Sequence, residues 1–262
     1  MDIIKSRENS KIKYIRSLGS KKSRDEENAF IVEGIKFVNE AFIESAHIIY
    51  LLFKESALNK PEVQKLYNLS SSIGTDILIC EENVFNSVSD TINSQGILAV
   101  IQKDENLNKI DSYKFAVMCD KIQDPGNLGT IIRTADAFGP AVVILNKGCV
   151  DVYNPKVVRA SAGAIFRVPF KYADSDLKIL DLLKISGFKI ISAVVDSKQS
   201  FDDIEQSDKI CVVIGNEGNG VSREIQSCSH MNITIKMSGN AESLNASIAA
   251  GISIYEIRKK LL

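Results

Sequence analysis

The sequence predicts an α/β protein of two domains, the second of them built on a mostly parallel sheet. Three observations support this class. A length of 262 residues is enough for two modest domains or one large one. Hydrophobic residues at 45% and charged residues at 25% are ordinary for a globular chain. Apolar runs of strand length alternate with stretches of helical periodicity, and a polar segment at residues 104–112 interrupts that alternation.

The first domain is expected at residues 1–103, as a small α/β unit followed by a linker at residues 104–112. Four short apolar runs rich in Ile, Leu and Val predict its strands. They are Ala29–Glu33, His47–Phe53, Thr75–Cys80 and Ile97–Ile101. Apolar residues at helical spacing predict three helices between these strands. They are Ile35–Glu44, Pro61–Ser72, which has proline in its first turn, and Glu82–Val88.

The second domain is expected at residues 113–262. Its strand candidates are nearly continuous apolar runs, which is typical of strands buried on both faces of a parallel sheet. They are Phe115–Cys119, Val142–Leu145, Ala164–Val168, Lys189–Val194, Ile210–Ile214 and Asn232–Ile235. The helices predicted between them are Leu128–Phe138, Lys156–Ala162, Leu177–Ile185 and Ser243–Arg258. This alternation predicts a sheet covered by helices on both sides.

Composition disfavours several classes of protein. The five cysteines are odd in number and never stand in CxxC spacing, so neither a disulfide framework nor a structural zinc site is expected. Two histidines leave little material for a histidine-based metal site or a catalytic triad. The apolar runs are too short to span a bilayer, and Lys5 and Arg7 stand where a secretory signal would be apolar. We therefore expect a cytoplasmic protein that needs neither a metal nor a membrane.

The N-terminal segment is basic, although the whole chain carries a formal net charge of −1. Residues 1–24 hold eight basic and two acidic side chains, a local balance of +6. A basic patch of this kind can attract a polyanion even when the chain as a whole is near neutral. A solvated helix face would have the same composition, and the segment alone leaves both interpretations open.

Three polar turns follow predicted strands of the second domain. The first, Asp124–Thr130, opens a helix with Asn127 as a favourable starting residue. The second, Gly215–Gly220, has three glycines in six residues, which permits close approach of a ligand to the backbone. The third lies in Ile235–Ile252, where a polar turn leads into a helix rich in small residues. Each turn alone is more typical of a helix cap, but three of them at strand ends predict a ligand pocket.

The glycine pattern of the second turn does not match the common nucleotide-binding motifs. Its spacing is G-x-x-G-x-G, whereas dinucleotide-binding folds carry G-x-G-x-x-G, and the chain has no GxxxxGK[ST] loop. These absences disfavour a dehydrogenase and a P-loop NTPase.

Four segments of the second half carry a family resemblance. They are NLGTIIRTADAFG (Asn127–Gly139), NPKVVRASAGAIFRVPF (Asn154–Phe170), VVIGNEGNGVS (Val212–Ser222) and IKMSGNAESLNASIAAGI (Ile235–Ile252). The first, third and fourth resemble the successive motifs of the SpoU/TrmH family of RNA ribose 2′-O-methyltransferases, within the SPOUT superfamily. The N-terminal part resembles the family's substrate-binding domain, whose fold is like that of certain ribosomal proteins.

The resemblance implies an enzyme that transfers a methyl group from S-adenosyl-L-methionine to a ribose 2′-hydroxyl of RNA. It also implies a trefoil knot in the C-terminal sheet, which the general rarity of knots would argue against. The family habit implies a homodimer formed through the C-terminal domain. Ribosomal RNA is favoured over transfer RNA because the chain has a full extra N-terminal domain, like the family's ribosomal enzymes.

The resemblance assigns residues to three roles. Those implied to hold the cofactor are Gly215, Asn216, Ile235, Met237, Ser243 and Leu244. Those implied at the reacting centre are Asn127, Arg133, Glu217 and Asn245. The basic segment gains weight as an RNA-binding surface, and its contact residues are expected to be Lys11, Lys13, Arg16, Lys21 and Lys22.

The family points to Arg133 as the residue nearest the catalytic role. A guanidinium almost never loses its proton in a protein, so a role as general base is physically awkward. We prefer the hypothesis that Arg133 binds an RNA phosphate with two parallel hydrogen bonds and orients the ribose. The alternative is a surface ion pair with Asp136, three residues further along the helix. Glu217 could likewise be a turn carboxylate that accepts hydrogen bonds from backbone N–H groups.

Three competing functions remain at this stage. A transfer RNA 2′-O-methyltransferase would carry the same motifs. A non-catalytic RNA-binding or assembly factor could keep the fold, but Asn127, Arg133, Glu217 and Asn245 are all present and speak against it. A nucleotide-dependent oxidoreductase is disfavoured by the missing dinucleotide fingerprint.

Overall fold

The computed structural model describes residues 2–103 and 110–262, which form two compact units. One unit holds residues 2–103 and 153–159, and the other holds residues 110–152 and 160–262. Most of the predicted linker, residues 104–109, lies outside the described residues. Its last three residues, Ile110–Ser112, form a short 3-10 turn, and Ile110 packs into the apolar core of the second unit. Within the described ranges, no helix is both long and apolar enough to cross a membrane.

The first unit is a four-stranded mixed sheet with helices. Its strands are β1 (Ala29–Glu33), β2 (Ile48–Lys54), β3 (Ile77–Cys80) and β4 (Ile97–Gln102), in the order β1-β4-β2-β3. Its helices are α1 (Ser10–Ser17), α2 (Lys21–Glu26), α3 (Ile35–Ile43), α4 (Pro61–Ser72) and α5 (Glu82–Phe85). β4 runs antiparallel to both neighbours, whereas β2 and β3 are parallel. The four predicted strands and three predicted helices are confirmed within a few residues, while α1 and α2 had appeared only as a basic segment.

The second unit is a six-stranded sheet in which every pair of neighbouring strands is parallel. Its strands are β5 (Phe115–Asp120), β6 (Val142–Asn146), β7 (Phe170–Ala173), β8 (Lys189–Ala193), β9 (Ile210–Gly215) and β10 (Met231–Ile233). The order is β10-β8-β9-β5-β6-β7. β5 and β9 lie in the middle and are buried along almost their whole length, which explains their continuous apolar sequence. The predicted parallel sheet is confirmed.

Helices cover both faces of this sheet. The helices of the second half of the chain are α6 (Pro125–Ala137), α7 (Pro155–Ala160), α8 (Asp176–Ile185), α9 (Arg223–Cys228) and α10 (Ala246–Arg258). Ala116 and Met118 of β5 share one core cluster with Leu180 of α8 and Ile225 of α9. Side chains alternate along a strand, so Val117, which is fully buried, points to the opposite face. There α6 and α10 pack on each other and contact β6 and β9. The predicted two-sided covering is confirmed, whereas the trefoil knot stays a prediction.

Two sequence predictions in this unit were wrong, one in the type of element and one in the position of a helix start. The apolar run Ala164–Val168 is no strand: Ala164–Phe166 form a 3-10 turn, entered through Gly163 in the left-handed region (φ +96°). Ala164 and Ile165 are buried in that turn, and the strand follows at Phe170–Ala173. The helix predicted from Ser243 begins at Ala246, because the side chain of Asn245 accepts hydrogen bonds from backbone N–H groups of the first turn and caps the helix there. The six-residue α9 was not predicted.

Burial makes most of the thiols poor nucleophiles, which gives a first testable prediction. Burial raises the pKa of Cys80 and Cys211 to about 12 and that of Cys149 to about 11, and it raises the pKa of Cys119 well above its ordinary value. Only a thiolate attacks a disulfide reagent. We expect Cys80, Cys119 and Cys211 of the native protein to stay unlabelled by Ellman's reagent at pH 8. All five thiols should react in denaturant. Rapid native labelling of three or more thiols would contradict this burial.

Candidate functional site

A cavity of about 550 Å³ lies beyond the carboxyl ends of β8 and β9. Its walls come from residues 193–196 at the end of β8 and 214–221 around the end of β9, from Thr234, Ile235 and Met237 after β10, and from residues 242–244 with Ala246 and Ala249 at the start of α10. Cavities of this size are typical of small-molecule sites. The wall includes all six residues expected at the cofactor: Gly215, Asn216, Ile235, Met237, Ser243 and Leu244. The structure brings them together, and their role toward a cofactor stays a proposal.

The glycine loop, residues 215–221, forms one wall through its backbone. The N–H of Gly220 donates to the carbonyl of Asn216 at 2.8 Å, which closes a tight turn. The side-chain oxygen of Asn216 accepts the N–H groups of Gly218 at 2.8 Å and Asn219 at 3.3 Å. A Cβ on Gly215 would meet backbone atoms of Gly220 and Val221 well inside 3.0 Å, closer than real Cβ atoms approach. Close passage of backbone against backbone therefore requires glycine at this position.

Asn127 joins the three motifs through its side chain. Its amide nitrogen donates to the carboxylate of Glu217, 90 residues away. Its amide oxygen accepts a hydrogen bond of 3.0 Å from the side chain of Asn245, 118 residues away. Asn245 in turn accepts the N–H of Ser247 at 3.0 Å and thereby holds the start of α10. Asp124 caps α6 by accepting the backbone N–H of Asn127 at 2.8 Å. Three of the four expected reacting-centre residues thus form one hydrogen-bonded group.

Arg133 is not part of this hydrogen-bonded group among the described residues. It is exposed on α6 and has no hydrogen-bond or ion-pair partner in the part of the chain that the structure describes. The alternative pairing with Asp136 is wrong, because Asp136 instead accepts hydrogen bonds from Nε and Nη2 of Arg167 at 3.0 and 2.9 Å. The guanidinium of Arg133 is therefore available for a group from outside the described chain.

The cavity wall is acidic and partly apolar. Asp196, Glu217 and Glu242 contribute carboxyl groups, while Val195 and Leu244 contribute apolar surface. No lysine, arginine or histidine is among the described residues of this wall. Carboxylates attract cations and disfavour a phosphate group, so the wall suits a cationic ligand that also has an apolar part.

The RNA-binding residues expected in the basic segment are exposed or half-exposed, but several are already paired. The five are Lys11, Lys13, Arg16, Lys21 and Lys22. Lys13 forms an exposed ion pair of 2.6 Å with Glu8, and Lys22 lies 3.7 Å from Glu26. Exposed pairs of this kind stabilise little and can exchange for a phosphate. Lys21 has no partner in the described ranges.

Lys11 and Arg16 contact neighbouring side chains near the surface, whereas Arg24 is buried. Arg16 donates to the hydroxyl of Ser87 at 3.0 Å, and the ammonium of Lys11 lies 4.9 Å from the ring centre of Tyr50. Arg24 is only 3% exposed and donates to two carbonyls at the end of α1 at 2.9 Å. The +6 balance of the sequence therefore overstates the charge offered to a polyanion.

Sequence reasoning missed two buried polar residues beside the glycine loop. Asp120 and Asn146 end β5 and β6 and are 1% and 4% exposed. Asp120 accepts hydrogen bonds of 2.6 Å from the side chain of Asn146 and from the backbone N–H of Ser222. The available signal was a carboxylate closing the otherwise apolar run FAVMCD.

Fold and site together define a SPOUT-type methyltransferase. A crystal structure described as an AdoMet-bound rRNA methyltransferase from Sinorhizobium meliloti superimposes with a TM-score of 0.87 at 28% identity, covering 100% of this chain and 98% of that one. A putative RNA methyltransferase of the TrmH family from Porphyromonas gingivalis superimposes with a TM-score of 0.83 at 31% identity, covering 96% and 98%.

The chain belongs to the SpoU rRNA Methylase family, whose sequence profile matches residues 114–255. The profile of the MRM3-like substrate binding domain matches residues 9–99. A relative in Bacillus subtilis, named 23S rRNA (guanosine(2553)-2′-O)-methyltransferase RlmP, is 32% identical over 258 residues, which are 98% of this chain and 100% of the relative. The family resemblance stated from the motifs is confirmed.

Proposed function

We propose that this protein transfers the methyl group of S-adenosyl-L-methionine to a ribose 2′-hydroxyl of ribosomal RNA. The observation that carries the proposal is that two of the motifs line one cavity, and that Asn127 of the remaining motif is hydrogen-bonded to Glu217 of the cavity wall and to Asn245. The names of the similar proteins support ribosomal RNA as the substrate class. We place the activity in the cytoplasm, where free cysteines stay reduced.

The cavity wall fits S-adenosylmethionine chemically. When bound, this cofactor supplies an electrophilic methyl group on a positively charged sulfur. The carboxyl groups of Glu217 and Glu242 suit the positive charge, and Leu244 offers apolar surface to the adenosyl part. The backbone of the glycine loop and of residues 235–244 would hold the heterocycle through N–H and carbonyl groups, with Ser243 adding a hydroxyl.

The chain's own residues would contribute position more than proton transfer. Asn127 fixes Glu217 relative to the start of α10, so the edge of the cavity is held before the RNA arrives. Arg133, free of partners in the described chain, would grip a phosphate beside the target ribose. The hydroxyl proton would then leave to that phosphate or to solvent, since the guanidinium keeps its own proton.

The basic segment makes a second prediction, on salt dependence. Replacing Lys11, Lys13 and Arg16 together by glutamine should lower the slope of log Kd against log salt by about 2 to 3, because each phosphate contact contributes roughly 0.7 to 0.9. Titration of an RNA fragment by fluorescence anisotropy at several salt concentrations measures this. A matched control replaces three other exposed lysines, Lys65, Lys178 and Lys184. An equal salt slope in the two triple variants would show that the basic segment does not contact RNA phosphates.

A homodimer through the C-terminal domain is the proposed assembly, and it gives a third prediction. Phe138, Ile248 and Tyr255 are large apolar side chains that α6 and α10 leave 39%, 54% and 50% exposed. The rings of Phe138 and Tyr255 lie 5.6 Å apart and form one patch. Exposed apolar patches of this kind are typical of protein interfaces. Light scattering should give twice the chain mass for the wild type and the single chain mass for Tyr255→Glu, with Tyr172→Glu as the control at another exposed tyrosine.

Mapping of ribose methylation in cells tests the substrate class. Ribosomal RNA from cells that lack this protein should miss one 2′-O-methyl group that reappears on complementation, and this also identifies the nucleotide. Loss of a 2′-O-methyl group from transfer RNA instead would favour the transfer RNA enzyme. An unchanged pattern in both RNAs would favour the non-catalytic assembly factor.

A further inference from the structure

Three polar side chains tie the glycine loop to the carboxyl end of β5. The network contains a buried carboxylate, Asp120, and two amides, Asn146 and Asn216. Asp120 uses one oxygen to accept the side-chain N–H of Asn146 and the other to accept the backbone N–H of Ser222, both at 2.6 Å. Ser222 directly follows the glycine loop, so this bond fixes the far end of the loop.

The near end of the loop is held through Lys121. Its N–H donates to the side-chain oxygen of Asn146 at 2.8 Å, and its carbonyl accepts the side-chain N–H of Asn216 at 3.0 Å. Lys121 adopts a left-handed backbone conformation (φ +55°), which costs energy for a residue other than glycine and persists only where the surroundings hold it. Both of its backbone groups are held by side chains of this network, so the two ends of the glycine loop and the strained residue form one unit.

Packing alone does not account for the burial of the Asp120 carboxylate. It is 1% exposed and has no cationic partner in the ranges that the structure describes. An unpaired buried carboxylate is costly, and apolar residues would fill the same space more favourably. What the carboxylate offers is two acceptor oxygens for two donors, one of which is the N–H of Ser222, the residue that directly follows the loop that lines the cavity.

We infer that Asp120 is a positioning residue that holds the glycine loop in the shape that binds S-adenosylmethionine, acting with Asn146 and Asn216. This inference rests on the proposed function for the identity of the ligand. It goes beyond the motif residues, because Asp120 and Asn146 do not line the cavity and act only through the loop.

The network allows a rescue experiment. In Asp120→Asn the new amide has one acceptor oxygen for two donors, so its NH₂ group must face either Asn146 or the N–H of Ser222. Asn146 cannot turn over to compensate, because its oxygen already accepts the N–H of Lys121. In Asn146→Asp two carboxyl groups face each other. The double exchange, Asp120→Asn with Asn146→Asp, restores every hydrogen bond with donor and acceptor reversed between the two side chains.

Amide hydrogen exchange of the cofactor-free protein gives the first readout. In each single variant the N–H groups of Lys121, Gly218 and Ser222 should exchange about tenfold faster or more, as expected for loss of a hydrogen bond to a charged group, and the double exchange should restore protection. Ser192→Ala is the matched control, because it removes a buried hydroxyl of the same sheet that bonds to Ser229 and not to the loop.

Calorimetric titration with S-adenosylmethionine gives the second readout. The Kd should rise about tenfold or more in each single variant and return to near the wild-type value in the double exchange, while Ser192→Ala leaves it unchanged. Unchanged loop exchange in Asp120→Asn, or a double exchange as defective as the single variants, would overturn the inference. If the wild type does not bind S-adenosylmethionine, the proposed function fails, and the exchange experiment still decides whether Asp120 holds the loop. If Asp120→Asn fails to fold, amide exchange and cofactor Kd are compared between Asn146→Asp and the double exchange, and the same restoration is expected.

Discussion

Alanine at position 215 is expected to abolish binding of S-adenosylmethionine and to lower the free energy of unfolding by roughly 3 kcal/mol. The added Cβ would collide with backbone atoms of Gly220 and Val221, which cannot swing away as a flexible side chain can. The loop must therefore shift, and it forms a wall of the cavity. Calorimetric titration with the cofactor, well below the unfolding temperature, measures the loss of binding, and denaturant unfolding measures the loss of stability.

The control for this variant is Gly239→Ala. Gly239 lies between Met237 and Glu242, two residues of the cavity wall, but nothing stands within 4 Å of a Cβ built on it. We expect a change in stability below about 0.5 kcal/mol and near-normal cofactor binding. Equal effects of the two alanines, or tight cofactor binding by Gly215→Ala, would show that close backbone passage at residue 215 does not shape the cavity.

Lysine at position 133 is expected to lower turnover about 100-fold at saturating RNA and cofactor, with cofactor affinity unchanged. Lysine keeps the positive charge but cannot form two parallel hydrogen bonds to one phosphate. Misplacement of the ribose by about an ångström is enough to cost this much in rate. Single-turnover methylation of RNA measures the chemical step directly.

The control for position 133 is Arg223→Lys, another exposed arginine without a partner in the described chain. Its turnover should stay within about twofold of the wild type, as expected for an exposed side chain that forms no hydrogen bond or ion pair with the described residues. Near-full turnover of Arg133→Lys under the same conditions would reject the bidentate phosphate grip and leave only a requirement for positive charge.

The sequence predicts the central strands well because their burial leaves a direct signal. β5 and β9 are covered on both faces, so almost every position is apolar and the parallel sheet can be inferred from composition and length. The same signal gave a wrong strand at Ala164–Val168, where Ala164 and Ile165 are buried in a 3-10 turn. A short apolar run indicates that its residues are buried, but it does not distinguish a strand from a turn, because that depends on the backbone hydrogen bonds.

The candidate site was predictable through family motifs and much less through residue patterns. The bonds that join Asn127 to Glu217 and Asn245 span 90 and 118 residues, and no local periodicity encodes such pairings. Asp120 and Asn146 belong to no motif that the sequence singled out, and their partners too become visible only in the fold. In the basic segment, counting charges could not separate Arg24, which is buried, from the exposed lysines.

Methyl transfer in vitro tests the central claim most directly. Purified protein is incubated with S-adenosylmethionine labelled in its methyl group and with ribosomal RNA prepared from cells that lack the protein, and the digested nucleosides are identified by mass spectrometry. We predict one labelled 2′-O-methylnucleoside with the wild type and none with Gly215→Ala. A labelled base in place of a labelled ribose, or no transfer to ribosomal RNA by a wild type that binds the cofactor, would contradict the proposed function.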